Sequence, residues 1–298
     1  MILYMKNSQI IKLPINYINV AYAFYNKYYY IAHVSMKSIM LNQKNNTFIN
    51  FYILIHENVY NESKSVIDKI CQEHSNCNIK YFILKNEFKE FRASYWTAGA
   101  FYRLMLQKLL VNETKCLYFD CDTLIYRDLN IIYNYNNTNN YYIGEYEGYT
   151  LKKLGMVIEN YINSGVLLIN LRKLREDNIF DKIMNFLRTN NRSLTFPDQE
   201  ALNMVCYKNN AMFPKYFISS GICNINKIKE IKKLFPEIQK YYITPYVFHF
   251  KCYIKPWLGI AVSKNNAICY DFLTRFHEFA RKTNYYLEIL EKYKAYKR

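Results

Sequence analysis

The stretch Leu117-Tyr118-Phe119-Asp120-Cys121-Asp122 decides how the fold is read. Three apolar residues read as the end of a buried strand, and two carboxylates one residue apart follow where it runs out. Taking a carboxylate out of water is costly unless something compensates its charge. No Lys or Arg lies between Lys115 and Arg127 to do so locally. A divalent cation is a compensator that carboxylate oxygens suit. A plain turn at a strand end also favours Asp, so the surrounding chain has to separate the two readings.

Upstream, element types alternate. Tyr17 to Phe24 reads as a strand, Tyr29 to Leu41 as a helix, Ile49 to Ile55 as a strand and Glu62 to Glu73 as a helix. Ile79 to Leu84 then reads as a strand, Ala98 to Leu110 as a helix, and Cys116 to Phe119 as the strand that ends in the Asp pair. Strands separated by helices of this length imply crossovers and a mostly parallel sheet. Ligands of such sheets bind beyond the carboxyl ends of the strands, where Asp120 and Asp122 fall. Downstream, the pattern predicts a strand over Gly165 to Leu171, helices over Lys173 to Leu187 and Pro197 to Val205, and a short strand over Val247 to Phe250. Phe272, Phe276 and Phe279, then Tyr286, Leu290 and Tyr293, recur at helical intervals. The expected division is a catalytic domain over residues 1–260 and a basic helical tail over 261–298.

The chain has 298 residues, 51% of them hydrophobic, enough for a globular core. Its seven glycines form neither a dinucleotide fingerprint nor a P-loop. Bound phosphates would therefore be held by side-chain cations and a metal. Of eight cysteines, Cys71 and Cys77 flank His74, a possible zinc group without an evident fourth ligand; the others read as small buried hydrophobes. No apolar run approaches the length that spans a bilayer, and Met1 to Leu13 lacks the apolar stretch of a signal peptide. The expectation is a cytoplasmic protein. Its net charge is +16, with nine Lys against Glu230 and Glu237 between Lys208 and Lys255, and a basic end after Phe279. That balance suits an anionic membrane surface or nucleic acid; a lysine-rich coding bias gives the same composition.

Other segments share the theme of the Asp pair. His249 precedes Lys255-Pro256-Trp257, and an imidazole with two carboxylates makes a mixed site suited to manganese. Lys255 offers a point charge for a diphosphate. Asn163-Ser164-Gly165 opens a buried strand, where an amide can bind a sugar hydroxyl or cap a turn. Pro197-Asp198-Gln199-Glu200 opens a helix, a place that favours acids in any case. Arg103 follows Phe101-Tyr102 on a helix.

In this order the segments resemble the family 8 glycosyltransferases, over about residues 17 to 257. Tyr102-Arg103-Leu104 and Cys116 to Leu124 are similar to that family's arginine helix and Asp-x-Asp strand. Asn163 to Leu171, Asp198-Gln199, and His249 with Lys255-Pro256-Trp257 are similar to its later motifs. The resemblance implies a GT-A type α/β fold, with a Rossmann-like sheet flanked by helices. It implies a retaining transferase that moves galactose or glucose from a UDP-sugar to a glycan or glycolipid, of lipopolysaccharide or lipooligosaccharide type. Asp120, Asp122 and His249 would hold Mn2+ or Mg2+. Ala23, Asn26, Tyr28, Arg103, Cys121, Asn163, Ser164 and Lys255 would bind the donor, with Tyr28 stacked on uracil. Asp198 and Gln199 would carry the chemistry, by a front-face attack or a covalent route. Two departures stand out: Tyr25-Asn26 replaces an acidic base-reading position, and Cys252 replaces a glycine between the His and the Lys. The basic, aromatic tail is similar to membrane-surface anchors of relatives, which implies peripheral attachment to the inner face of a membrane.

Two rivals follow from the same residues. A sugar nucleotidyltransferase also places carboxylates and metal on an α/β sheet, but needs a Gly-rich phosphate loop. A basic nucleic-acid-binding protein fits the charge and the 32 Tyr, yet no nucleic-acid motif is present and no nucleic acid is expected as partner.

Overall fold

The computed structural model describes residues 2–6, 9–13, 15–25, 28–85, 87–91, 99–135, 139–147, 151–190, 194–220, 245–251, 255–258 and 267–294. In chain order the elements begin with β1 (Ile2–Lys6), β2 (Gln9–Leu13), β3 (Asn16–Phe24), α1 (Tyr29–Asn42), β4 (Thr47–His56), α2 (Tyr60–Ile67), α3 (Lys69–Glu73) and β5 (Cys77–Leu84). Next come α4 (Gly99–Tyr102), α5 (Leu106–Leu109), β6 (Cys116–Phe119), β7 (Thr123–Ile125), α6 (Asn130–Tyr133) and β8 (Tyr142–Tyr146). Then follow β9 (Leu151–Lys153), β10 (Met156–Ile158), β11 (Ile162–Ile169), α7 (Leu171–Glu176), α8 (Ile179–Asn190) and α9 (Pro197–Cys206). The last are β12 (Asn210–Met212), β13 (Ile218–Ser220), β14 (Val247–His249), α10 (Ala267–Ala280) and α11 (Tyr286–Lys294).

The chain divides into two compact units. Met1–Lys27, Lys44–Asp120 and Leu129–Phe213 form the first, and Tyr28–Gln43, Cys121–Asp128 and Pro214–Arg298 the second. The first carries a seven-stranded sheet in the order β12-β8-β11-β6-β3-β4-β5. β3 is parallel to β4 and β6, and β4 is parallel to β5, as the helix-separated strands predict. β3 is buried on both faces from Ile18 onward, which suits an interior parallel strand, while the edge strand β5 leaves Ile83 exposed. β11 departs from the expectation. It runs antiparallel to both β6 and β8 and begins upstream of the predicted start. Leu171 belongs instead to α7, where the Asn170 side chain accepts from the Lys173 N–H at 3.1 Å and caps the helix. The predicted helix over Lys173 to Leu187 is two helices, with Asn178 at φ 50° closing the first. The predicted helix up to Leu110 is broken by a 3-10 turn over Arg103–Met105.

β11 bulges. Ile162 pairs with Tyr146 on β8, and the next pair is Leu167 with Gly144, so four residues of β11 pass against one of β8. Asn163, Ser164, Gly165 and Val166 occupy the bulge. Val166 stays opposite Phe119 of β6, but the backbone groups that leave the β8 ladder need other partners, and side chains of the site described below supply several of them.

The second unit holds a small sheet, β13-β14-β7, in which β14 runs antiparallel to β7. Helix α1 docks on β7 through its hydroxyls. Ser35 Oγ lies 2.9 Å from Thr123 Oγ1, and Ser38 Oγ accepts from the Ile125 N–H at 2.9 Å. Phe276 of α10 packs on Trp257 and Phe250, and Phe279 packs on Tyr126. In α11, Ile289 is buried and Lys292 Nζ donates to Tyr29 Oη at 2.6 Å, over the rings of Tyr29 and Tyr30. Phe272, Tyr293 and the expected domain boundary near residue 260 lie outside the described side chains or residues. Among the described residues no helix is long and apolar enough to cross a membrane.

Gly144 gives the bulge its room. A Cβ there would stand 3.0 Å from the Asn163 carbonyl oxygen and 3.1 Å from both Ile162 Cβ and Leu167 Cδ2. Gly144→Ala is expected to destabilise the protein by about 1–3 kcal/mol, read as a lower midpoint of urea unfolding. An unchanged midpoint would show that β11 yields freely at the bulge.

Candidate active site

In the first unit the site is built around one buried guanidinium. The 3-10 turn aims Arg103 inward, leaving its side chain 7% exposed. Its Nη2 lies 3.0 Å from Asp120 Oδ1, and its Nε lies 3.3 Å from Asp198 Oδ2. Nε also donates to the Ala100 carbonyl at 2.9 Å, and Nη1 donates to the Ser164 carbonyl in the bulge. The Tyr118 ring lies under it at 4.7 Å, and Tyr118 Oη donates to Asp120 Oδ1 at 2.9 Å. Burial alone would lower the Arg103 pKa, but Asp120, Tyr118 and Asp198 together raise it, so the cation is firmly held.

Asp198 and Gln199 lie in the first turn of α9. Pro197 stands at its start, and Glu200 Oε1 accepts from the N–H groups of Thr195 and Phe196, both at 3.1 Å. Glu200 is thus occupied by the helix start itself. Burial pushes the Asp198 carboxyl above the ordinary carboxylate range; Arg103 pulls it down, Asp120 pushes it up, and the net shift is upward. Ser164 Oγ donates to Asp198 Oδ2 at 3.1 Å. Gln199 Oε1 accepts from Asn163 Nδ2 at 3.1 Å and from the Ser164 N–H at 3.0 Å. The Asp120 N–H donates to the Gly165 carbonyl at 2.7 Å, tying the strand end to the bulge. The structure therefore brings Arg103, Asp120, Asn163, Ser164, Asp198 and Gln199 together. Ala23 is buried near the end of β3.

In the second unit, register places His249 of β14 opposite Thr123 of β7, next to Asp122. His249 Nε2 lies 3.3 Å from Asp122 Oδ1, and the Phe250 N–H donates to the Asp122 carbonyl at 2.9 Å. Lys255 Nζ donates to Asp122 Oδ2 and to the Phe250 carbonyl. Burial would raise the Asp122 pKa, but Lys255 and His249 outweigh it and hold the carboxyl well below its usual range. Tyr28 lies half-buried at the start of α1, edge-on to Trp257 at 6.1 Å between ring centroids. Cys121 is a buried thiol. Asn26 and Cys252 lie outside the described residues.

The lack of a local cation does not leave the Asp pair uncompensated: Arg103 reaches Asp120 and Lys255 reaches Asp122 from far along the chain. The donor set still fits a metal. Two ligands about 2.1 Å from one ion at a right angle lie about 3 Å apart, close to the 3.3 Å between Asp122 and His249. Sequence reasoning missed Tyr118, Tyr161 and Asn203. Tyr161 Oη accepts from Gln199 Nε2 at 3.0 Å, and Asn203 bonds both polar backbone groups of Ile162. Asn203 stands four residues after Gln199 on α9 and Tyr161 two before Asn163, so helical and strand periods could have found them.

Residues 19–261 match the family model described as Glycosyl transferase family 8. A Haemophilus influenzae protein provisionally described as a glycosyltransferase is 30% identical over 195 residues, 61% of this chain and 58% of that relative. The lipopolysaccharide 1,2-glucosyltransferase of Escherichia coli is 23% identical over 256 residues, 80% of this chain and 73% of that one. Among solved structures, the galactosyltransferase LgtC in complex with donor and acceptor sugar analogues has a TM-score of 0.70 at 21% identity, covering 90% of this chain and 96% of that one. The bifunctional glycosyltransferase WbbM has a TM-score of 0.71 at 18% identity, covering 93% of this chain and 51% of that one. These likenesses show a GT-A fold, and the family model spans most of the sequence: the chain belongs to glycosyl transferase family 8.

Proposed function

We propose that the protein transfers glucose or galactose from a UDP-sugar to a hydroxyl of a lipopolysaccharide or lipooligosaccharide acceptor, with retained anomeric configuration. The observation that carries this reading is the Asp122–His249 pair with Lys255 on Asp122, directly after the strand that ends in Asp120. Asp120, Asp122 and His249 would hold a divalent cation, Mn2+ or Mg2+. When bound, such a cation offsets negative charge on a departing diphosphate. Lys255 adds a cation for the same charge. Tyr28 offers an aromatic face for the base, and Ala23 and Cys121 line the donor with their backbones. Arg103 acts on the donor by fixing the carboxylates of Asp120 and Asp198. Asn163, Ser164, Asp198 and Gln199 grip the sugar, and a carboxylate at Asp198 stabilises positive character at the anomeric carbon. The names of the Escherichia coli relative and of LgtC support the choice of hexoses and acceptor.

A screen of UDP-glucose, UDP-galactose and their N-acetyl forms, scored by UDP release with Mn2+, tests the donor and the metal together. Release is expected from at least one hexose, with loss in EDTA and return on adding Mn2+ or Mg2+. Asp122→Asn is expected to lower it about 100-fold. Full release in EDTA would remove the metal from the mechanism.

The raised pKa of Asp198 predicts a trade of stability for activity. Its pKa in the fold lies above the unfolded value. Between the two, the fold binds the proton more tightly, so stability falls as pH rises through that window. Asp198→Asn is therefore expected to raise the melting temperature at pH 7 while lowering UDP release about 100-fold. A lower melting temperature would mean that the ion pair with Arg103 outweighs the burial of the carboxylate.

We further propose that the protein works peripherally on the anionic inner face of a membrane. Exposed Arg281, Lys282 and Leu287, on and beside α11, support this. Each cation near such a surface contributes about 1 kcal/mol. Reversing two charges, Arg281→Glu with Lys282→Glu, should weaken cosedimentation with phosphatidylglycerol vesicles by about tenfold or more, with UDP release in solution unchanged. Equal cosedimentation of both proteins would assign the basic end a structural role.

A further inference from the structure

We infer that Tyr161 is a positioning residue for sugar transfer, because it fixes the side-chain amide of Gln199 and leaves that amide only a hydrogen to offer a bound sugar. The inference rests on the proposed reading of Asp198 and Gln199 as the sugar-facing pair.

Two backbone groups of the bulge decide the geometry, since a backbone N–H can only donate. The Gly165 N–H points at the Asn163 side chain at 2.8 Å, so the atom there is Oδ1. That turns Asn163 Nδ2 toward Gln199, 3.1 Å away. The Ser164 N–H points at the Gln199 side chain at 3.0 Å, so that atom is Oε1, and the Asn163 donor agrees. Ser164 Oγ adds a longer contact at 3.3 Å. With the oxygen fixed, Gln199 Nε2 is the atom 3.0 Å from Tyr161 Oη, and the phenol oxygen accepts from it. Asn203 pins the backbone beneath. Its Nδ2 donates to the carbonyls of Gln199 and Ile162, both at 2.8 Å, and its Oδ1 accepts from the Ile162 N–H at 3.0 Å. Tyr161, Gln199 and Asn203 are all buried.

The consequence is chemical. The Gln199 carbonyl oxygen has two lone pairs, and both are directed at donors of the bulge. It is the atom a covalent route through Gln199 would need, and it is engaged within the protein. The nitrogen spends one hydrogen on Tyr161 and, among the described residues, keeps the other. Gln199 thus meets a sugar hydroxyl or the glycosidic oxygen as a hydrogen-bond donor. Tyr161 holds the nitrogen end while the bulge holds the oxygen end, so loss of the phenol oxygen frees the amide to pivot.

Tyr161→Phe removes that single oxygen. In protein labelled with [15N]glutamine, the Gln199 Nε2 hydrogens, assigned by their absence in Gln199→Met, should exchange slowly with solvent in the natural protein. Tyr161→Phe should speed that exchange at least about tenfold. With UDP-glucose or UDP-galactose and Mn2+, it should lower kcat about tenfold with a little-changed donor KM. In a Gln199→Ala background it should cost nothing further, since it acts through Gln199. Unchanged exchange in Tyr161→Phe, or the same loss of kcat in the Gln199→Ala background, overturns the inference. Rapid exchange in the natural protein overturns it as well, even where Tyr161→Phe fails to fold. A natural protein that releases UDP from neither sugar nucleotide overturns the proposed function instead, and the exchange measurement still decides the role of Tyr161.

Discussion

The first unit depends on keeping one guanidinium charged out of water. Arg103 is buried, and an isolated cation there would be too costly to keep. It survives because Asp120, Asp198, two backbone carbonyls and the Tyr118 ring surround it. Those partners come from four places in the chain: the end of β6, the start of α9, the bulge of β11 and α4, just before the turn that carries Arg103. Misplacing any one removes part of what compensates the buried charge. The ion cluster therefore fixes where these four segments meet, and the same requirement fixes the candidate catalytic residues.

The bulge shows the same economy in hydrogen bonds. In and beside the bulge, the backbone groups of Ile162, Ser164 and Gly165 each find a side-chain or backbone partner within the site. Asn203 takes both groups of Ile162, and Gln199 takes the Ser164 N–H. Arg103 takes the Ser164 carbonyl, Asn163 takes the Gly165 N–H, and the Asp120 N–H takes the Gly165 carbonyl. Side chains that could bind a sugar are also the ones that make an irregular strand tolerable. Structural constraints therefore fall on the same atoms as the candidate sugar-binding groups.

Much of this was legible in the sequence, and the exceptions have physical causes. Alternating strands and helices gave the parallel half of the sheet, and the carboxylates after Phe119 marked the carboxyl end of β6. The direction of β11 was hidden because a strand buried on both faces reads the same whichever way it runs. The breaks at Arg103 and Asn178 were hidden because both stretches keep a helical spacing of apolar residues. The counter-ions of Asp120 and Asp122 were sought nearby, although tertiary structure supplies them from Arg103 and Lys255. In the tail, helical spacing showed an amphipathic face but could not reveal that Ile289 and Lys292 use part of it to pack on the protein.

Asp122 and Asp198 are both nearly buried, yet they bear on stability in opposite ways. Lys255 and His249 overcome burial at Asp122 and hold its carboxyl low. Its ionised form supports the fold, with a contribution present above the unfolded pKa and lost as pH falls through the folded one. At Asp198 burial and the charge of Asp120 win over Arg103, so its ionised form weighs on the fold. A carboxyl whose pKa is pushed up by burial and a like charge is a frequent mark of a functional site. Asp122 carries no such mark, because Lys255 and His249 already satisfy it.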